Sequence, residues 1–199
     1  MVSFKKQLTA KEKSDVILSS VEFLNSESSD KNIISIIEEL VKALLTVSYA
    51  RLWILDKDKS TLYSKTISEL EEVKIPLYKG LLGKVTMDNE IFYVNDVTSN
   101  YNYVESVDNF EQNEIKDMIL MPIIKDKDII YIIQAMTSKE NIRQFTNSDI
   151  ETFKMIVPYI QNLNLDSIKN INSSDKKKEN KSIPKEDHSL LSKVFALFN

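Results

Sequence analysis

A chain of 199 residues, 42% of them hydrophobic, can bury one core in a domain of about 100–150 residues with extensions to spare. Its net charge of −4, with both signs interspersed, gives no general electrostatic basis for binding nucleic acid. It contains no cysteine, which excludes disulfides, thiol catalysis, Cys-ligated zinc or iron–sulfur centres and thioether-linked cofactors.

Met1 to Lys6 lacks the apolar run of a secretory signal, and no apolar stretch is long enough to span a bilayer. The expectation is a cytoplasmic protein with no membrane span. Val16, Ile17, Val21 and Leu24 fall near one face of a first helix over 10–26. Asp30 can cap a second helix over 30–46, where Ile33, Ile37, Leu40 and Leu44 beside Ile34, Val41 and Leu45 make a broad apolar stripe. Then the period changes. Tyr49 to Leu55 reads as a strand, Asp56 to Lys59 as a turn, Thr61 to Ile67 as the hairpin partner and Val73 to Tyr78 as a third strand.

The two glycines of the chain both lie in Gly80-Leu81-Leu82-Gly83, which opens a short helix to about Asp88. A chain this poor in glycine keeps it where a side chain would not fit. Ile91 to Val94 is a fourth strand, and 96–116 is a polar, aromatic-containing connection with a helical turn expected near Glu111 to Lys116. Met118 to Ile124 and Ile129 to Thr137 are nearly continuous in hydrophobicity and belong at the centre of a sheet. A last helix runs from Asn147 to about Asn164, with Pro158 expected to kink or interrupt it.

Hairpin-linked strands between helices predict an α+β fold, a central antiparallel sheet of five or six strands flanked by helices. The expected divisions are a helical extension over 1–28, the domain over 29–165, a flexible polar linker over 166–188 and a short amphipathic helix over 189–199.

Little here carries catalysis. His188, the single histidine, lies in the polar linker, so no nucleophile–base pair can be built on it. Asp56-Lys57-Asp58-Lys59-Ser60 starts like a calcium loop but has Thr61 and Ile67 where that loop needs Gly and Glu. Glu38-Glu39 and Glu71-Glu72 read as solvated charge. No metal site and no cofactor is expected.

Five segments in order resemble the GAF domain, a widespread sensory module of signalling proteins. They are Ala50 to Asp56 after an amphipathic helix, Ile75 to Val85 with its Gly-x-x-Gly, Ile91 to Val97 ending in Asp-Val, Met118 to Ile124 with its internal Pro-Ile, and Gln144 to Asp149 with Phe-Thr-x-x-Asp. The resemblance covers about 30–164. It departs from cyclic-nucleotide-binding relatives at Ser138-Lys139 and Asp149-Ile150, where those carry Asn-Lys and Asp-Glu. It implies a GAF/PAS-like sheet with a pocket lidded by the 95–117 region. The methionine-sulfoxide reductase branch and Cys-linked bilin chromophores both need cysteines that this chain lacks.

Phe145 and Ile150 can form a hydrophobic staple around Thr146, with Asp149 at the capping-box position. The glycines either free helix N–H groups to hold an anion or simply pack the turn closely. An RNA-binding Gly-x-x-Gly loop would want basic residues where Leu81 and Leu82 stand. Tyr101 and Tyr103 either stack on a planar ligand, with Asp96 or Asn100 hydrogen-bonding it, or anchor their loop. Met87, Phe110, Met118, Leu120, Met121 and Met136 line a cavity or fill a core. The candidate ligand-binding set is therefore Gly80, Gly83, Met87, Tyr93, Asp96, Asn100, Tyr101, Tyr103, Phe110, Met118 and Thr137.

Leu190, Leu191, Val194, Phe195 and Phe198 form a candidate docking segment for a signalling protein partner, for the chain's own domain or for a membrane surface, and the flanking helices could pair two copies. The expected function is a non-enzymatic sensory module that binds an unidentified small molecule under 95–117. The alternative is a ligand-free scaffold or dimerisation adaptor that recruits a partner through its C-terminal segment.

Overall fold

The computed structural model describes residues 8–26, 30–56, 60–64, 73–141 and 144–163. The expected linker, the 189–199 segment and parts of the first two turns and of the second strand lie outside the described residues. Helix α1 (Ala10–Ser26) starts in a reciprocal capping box. The Thr9 N–H donates to Glu12 Oε2 at 2.7 Å, and the Glu12 N–H to Thr9 Oγ1 at 3.3 Å. Helix α2 (Asp30–Leu45) buries its stripe as its spacing requires: Ile34, Ile37, Leu40, Val41, Leu44 and Leu45 are each 2% exposed or less. Each such side chain contributes about 1.5–3 kcal/mol on leaving water.

The strands are β1 (Tyr49–Leu55), β2 (Thr61–Ser64), β3 (Val73–Pro76), β4 (Phe92–Val94), β5 (Ile115–Lys125) and β6 (Asp128–Ser138). They form one antiparallel sheet in the order β3-β2-β1-β6-β5-β4. The β5–β6 hairpin turns on Asp126 and Lys127, both at positive φ (52° and 73°), the backbone a two-residue hairpin needs even where glycine is absent.

Period-two alternation sends the two sides of each strand to different layers. Leu52, Ile54, Ile119, Met121, Ile133 and Ala135 pack under α1, α2 and α5 (Asn147–Gln161). Trp53, Leu62, Met118, Leu120, Ile132 and Met136 pack under α3 (Gly80–Asp88) and α4 (Glu105–Asp108).

Three expectations are corrected. Glu38, read as solvated charge, is buried because its carboxylate turns inward to accept the Leu52 N–H. The helical turns of the connecting region are a 3-10 turn at Val97–Ser99 and α4 at 105–108 rather than one at 111–116, whose end, Ile115 and Lys116, belongs to β5, which pairs with β6 back to Ile115↔Ser138. Helix α5 continues through Pro158 to Gln161; both Pro158 and Lys154, whose carbonyl loses its i+4 donor, are exposed, so water can replace that bond. At the start of α5, Asp149 Oδ2 accepts the Thr146 N–H (2.8 Å) and hydroxyl (2.9 Å), and Phe145 is buried.

Candidate ligand site beneath the 95–117 segment

Gly80 sits at φ 75°, and a Cβ there would stand 2.5–2.8 Å from the Asp108 carboxylate. A Cβ at Gly83 would stand 2.5 Å from the Tyr78 carbonyl carbon. Both glycines are thus required by close approach. Asp108 explains the first. Its Oδ2 accepts the Leu81 N–H (2.9 Å) and the Val104 N–H (2.8 Å), and its Oδ1 the Leu82 N–H (3.1 Å). The N-cap residue Lys79 supplies no side-chain bond, so the free N–H groups of α3 are capped from 26 and 27 residues away. The anion at this helix N-terminus is the protein's own. Burial raises the Asp108 carboxyl above its ordinary range, against the three backbone N–H bonds that favour its charged form.

Beside it lies a polar cluster on the same face of the sheet. Arg51 and Trp53 are two apart on β1, and Gln134 is the β6 partner of Arg51. The Trp53 Nε1–H donates to Gln134 Oε1 at 2.8 Å, and Gln134 Nε2 donates to the Asp108 carbonyl at 2.7 Å. The Phe110 ring meets Trp53 edge to face, with centroids 5.8 Å apart, and lies 4.6 Å from the Arg51 guanidinium carbon. Arg51 Nη2 is ion-paired with Glu111 Oε1. Arg51 is only 3% exposed, and its Nη1 is buried without a hydrogen-bond partner.

Gly80, Met87 and Tyr101 are brought together on an open cleft of about 430 Å³, with Tyr78, Lys79, Lys84, Asp88, Asn102 and Val104. Met87 is 63% and Tyr101 94% exposed, so neither is anchored in a core. Gly83 is buried one turn further along α3. Met118 is buried beneath α3, Phe110 is half-buried in the polar cluster, and Tyr103 is partly buried against the same layer. Tyr93 pairs with Ile119 and takes the opposite face of the sheet; Thr137 is buried and bonded to Asp117 Oδ2 at 3.1 Å, also away from α3.

Asp96 and Asn100 serve local turns. Asp96 Oδ1 accepts the Thr98 N–H and hydroxyl, and Asn100 Oδ1 the Asn102 N–H. Sequence reasoning missed Arg51, Trp53, Asp108, Glu111 and Gln134. The available signal was a cation and an amide inside otherwise apolar strands, at Arg51 and Gln134. Among the described residues no group of three or more His, Asp or Glu could hold a metal ion, and no helix is long and apolar enough to cross a membrane.

No protein-family model matches the sequence. Two curated relatives match part of it. One is the dual 3',5'-cyclic-AMP and -GMP phosphodiesterase 11A of Takifugu rubripes, 27% identical over 44% of this chain. The other is the rod cGMP-specific 3',5'-cyclic phosphodiesterase subunit alpha of Mus musculus, 29% identical over 47%. The match spans only 10% of each of those proteins. Among solved structures, the GAF domain of an Acinetobacter phosphoenolpyruvate-protein phosphotransferase superposes with a TM-score of 0.66 at 13% identity, covering 84% of this chain and all of that one.

The fold is that of a GAF domain. GAF folds are commonly small-molecule-binding regulatory modules. The fold also hosts enzymes. Free methionine-R-sulfoxide reductase from Neisseria meningitidis, solved in complex with its substrate, has a TM-score of 0.63 at 15% identity, covering 81% of this chain and 94% of that one. This chain has no cysteine anywhere in its sequence.

Proposed function

We propose that this GAF chain is a non-enzymatic regulatory module in the cytoplasm. It binds a small molecule beneath the 95–117 segment and passes the bound state to a protein partner. The observation that carries this reading is how the segment over the sheet is held. Beyond the buried Val97 and Val107, it is held by two carboxylates: Asp108, fixed on the α3 N–H groups, and the more exposed Glu111 on Arg51, a contact with which a ligand can exchange. A shift of this segment would reach α3 and the sheet directly. From there it would act on the flanking helices, which pair two copies, or on Leu190, Leu191, Val194, Phe195 and Phe198, which dock on the partner.

Native mass spectrometry of the freshly purified full chain tests this reading. A retained small molecule is the expected result. Bare protein, together with partner binding that survives deletion of 189–199, would overturn it.

A second reading, the ligand-free scaffold, is favoured by one observation. The layer between sheet and α3 is filled by Trp53, Leu81, Leu82, Val85 and Met118, all essentially unexposed. The open 430 Å³ cleft lies outside that layer, within the size range of ligand sites but walled by exposed side chains.

A further inference from the structure

Arg51 is a buried cation ion-paired with Glu111, with the Glu38 carboxyl nearby, and it keeps an unfilled donor. A guanidinium offers five N–H donors in a planar fork suited to bidentate carboxylates. Here Nη2 meets a single Glu111 oxygen and Nη1 meets nothing, although both lie out of water. Leaving a buried charged donor unpaired is costly, so the site as it stands is incomplete.

The group that occupies it is a dipeptide. Phe110 lays its ring over the guanidinium and against Trp53, while the neighbouring Glu111 contributes the carboxylate. Side by side, they present a planar apolar ring and a carboxylate, both carried on one connection.

The two carboxylates of this connection differ in how firmly they are held. Asp108 is 1% exposed and accepts three backbone N–H groups, which no small ligand can easily displace. The Glu111 side chain is 30% exposed and can return its charge to water. Asn109 and Asn113 close the turn around it through Asn109 Nδ2 to the Asn113 carbonyl (2.9 Å) and the Asn113 N–H to Asn109 Oδ1 (3.1 Å).

We propose that Arg51 recognises the carboxylate of a planar aromatic acid, and that Phe110-Glu111 is a tethered competitor that withdraws when the acid binds. The acid's carboxylate takes both Nη1 and Nη2, and its ring takes the place of Phe110 against Trp53. The inference rests on the small-molecule reading above and names the ligand class for it.

Trp53 is the only tryptophan of the chain, so its fluorescence reports this site without a label. The full chain is titrated with benzoate, with its uncharged counterpart benzamide and with inorganic phosphate, as wild type, E111Q and R51M. Benzoate is expected to shift Trp53 emission, about tenfold more tightly in E111Q than in wild type, because apparent affinity scales with the fraction of open sites. Benzamide should show no such gain, and R51M should lose the benzoate response while keeping its circular dichroism spectrum.

Should R51M fail to fold, the E111Q gain and the benzoate–benzamide contrast decide alone. Equal gains for benzamide would overturn recognition of the carboxylate by Arg51 while leaving a small-molecule site standing. Phosphate binding as tightly as benzoate would overturn the aromatic class. No response from wild type or E111Q to benzoate would overturn the inference even if native mass spectrometry found a retained neutral molecule, which would keep the broader reading.

Discussion

The two faces of one sheet bury themselves by different rules. Under α1, α2 and α5, the strands present aliphatic residues such as Leu52, Ile54, Ile119 and Ile133 to a helix stripe of the same kind. Under α3 and α4, alternate residues of the same strands include Arg51 and Gln134, and their polar groups are met by a connection that arrives from the far side of the chain in sequence. The first face is a packing problem solved by shape. The second adds to its apolar layer a hydrogen-bond network, where a missing partner costs more than a missing methyl group and where a contact can be exchanged.

Removing apolar volume from the helix face should show the largest effect. Ile37→Ala, at a fully buried position of α2, is expected to cost about 3–4 kcal/mol in urea unfolding. It should leave Trp53 emission of the folded protein unchanged. A shifted emission would show that the faces are coupled through the sheet.

Glu38 is one of the buried polar residues on that face, with Lys13, Thr152 and Thr137. It is buried, accepts the Leu52 N–H at 3.0 Å, and is pushed from an ordinary 4.5 to about 7, chiefly by burial. The folded chain then holds this proton more tightly than the unfolded one, so stability is full below about pH 4.5 and declines as pH rises to about 7. The decline is at most about 3 kcal/mol. Denaturation across pH 4–8 should show a shallower fall for Glu38→Gln than for wild type. Identical slopes would place the titration elsewhere.

On the other face, Asp108→Ala leaves the Leu81, Leu82 and Val104 N–H groups without their acceptor and is expected to cost about 2 kcal/mol, part of the loss being offset by relief of a buried charge. Amide exchange at those three residues should accelerate. Protection unchanged from wild type would mean that the connection is not held by its carboxylate. The smallest effect belongs to the open cleft. Tyr101→Ala and Met87→Ala remove side chains that are mostly in water and should change stability by less than about 0.5 kcal/mol.

Much of this architecture was legible before any coordinates. Ile33 to Leu45 announced an amphipathic helix, Tyr49 to Leu55 and its neighbours announced hairpins, and Phe145-Thr146 with Asp149 announced a helix start. These are local signals, set by residues within one turn or one strand. The candidate site was less legible. Gly80 and Gly83 pointed to the right turn, but the tyrosine loop drew attention to Tyr101, which is exposed, and to Asp96 and Asn100, which hold their own turns. The misplaced helical turn had a similar origin, since 111–116 looks helical by itself and loses its end to the sheet only because β6 is there to pair with Ile115.

The sequence by itself determined the antiparallel α+β plan, the strand and helix periods, the turn that must carry glycine and the absence of any thiol chemistry. Each follows from propensity, period or composition, which act over a few residues or over none in particular. Tertiary structure decided which groups meet. Asp108 caps a helix 26 and 27 residues before it, and Arg51 meets Glu111 across 60 residues. Such pairings are decided by where the sheet and the connection bring the backbone, and local pattern carries no record of them. The site, unlike the fold, is made of those long-range meetings.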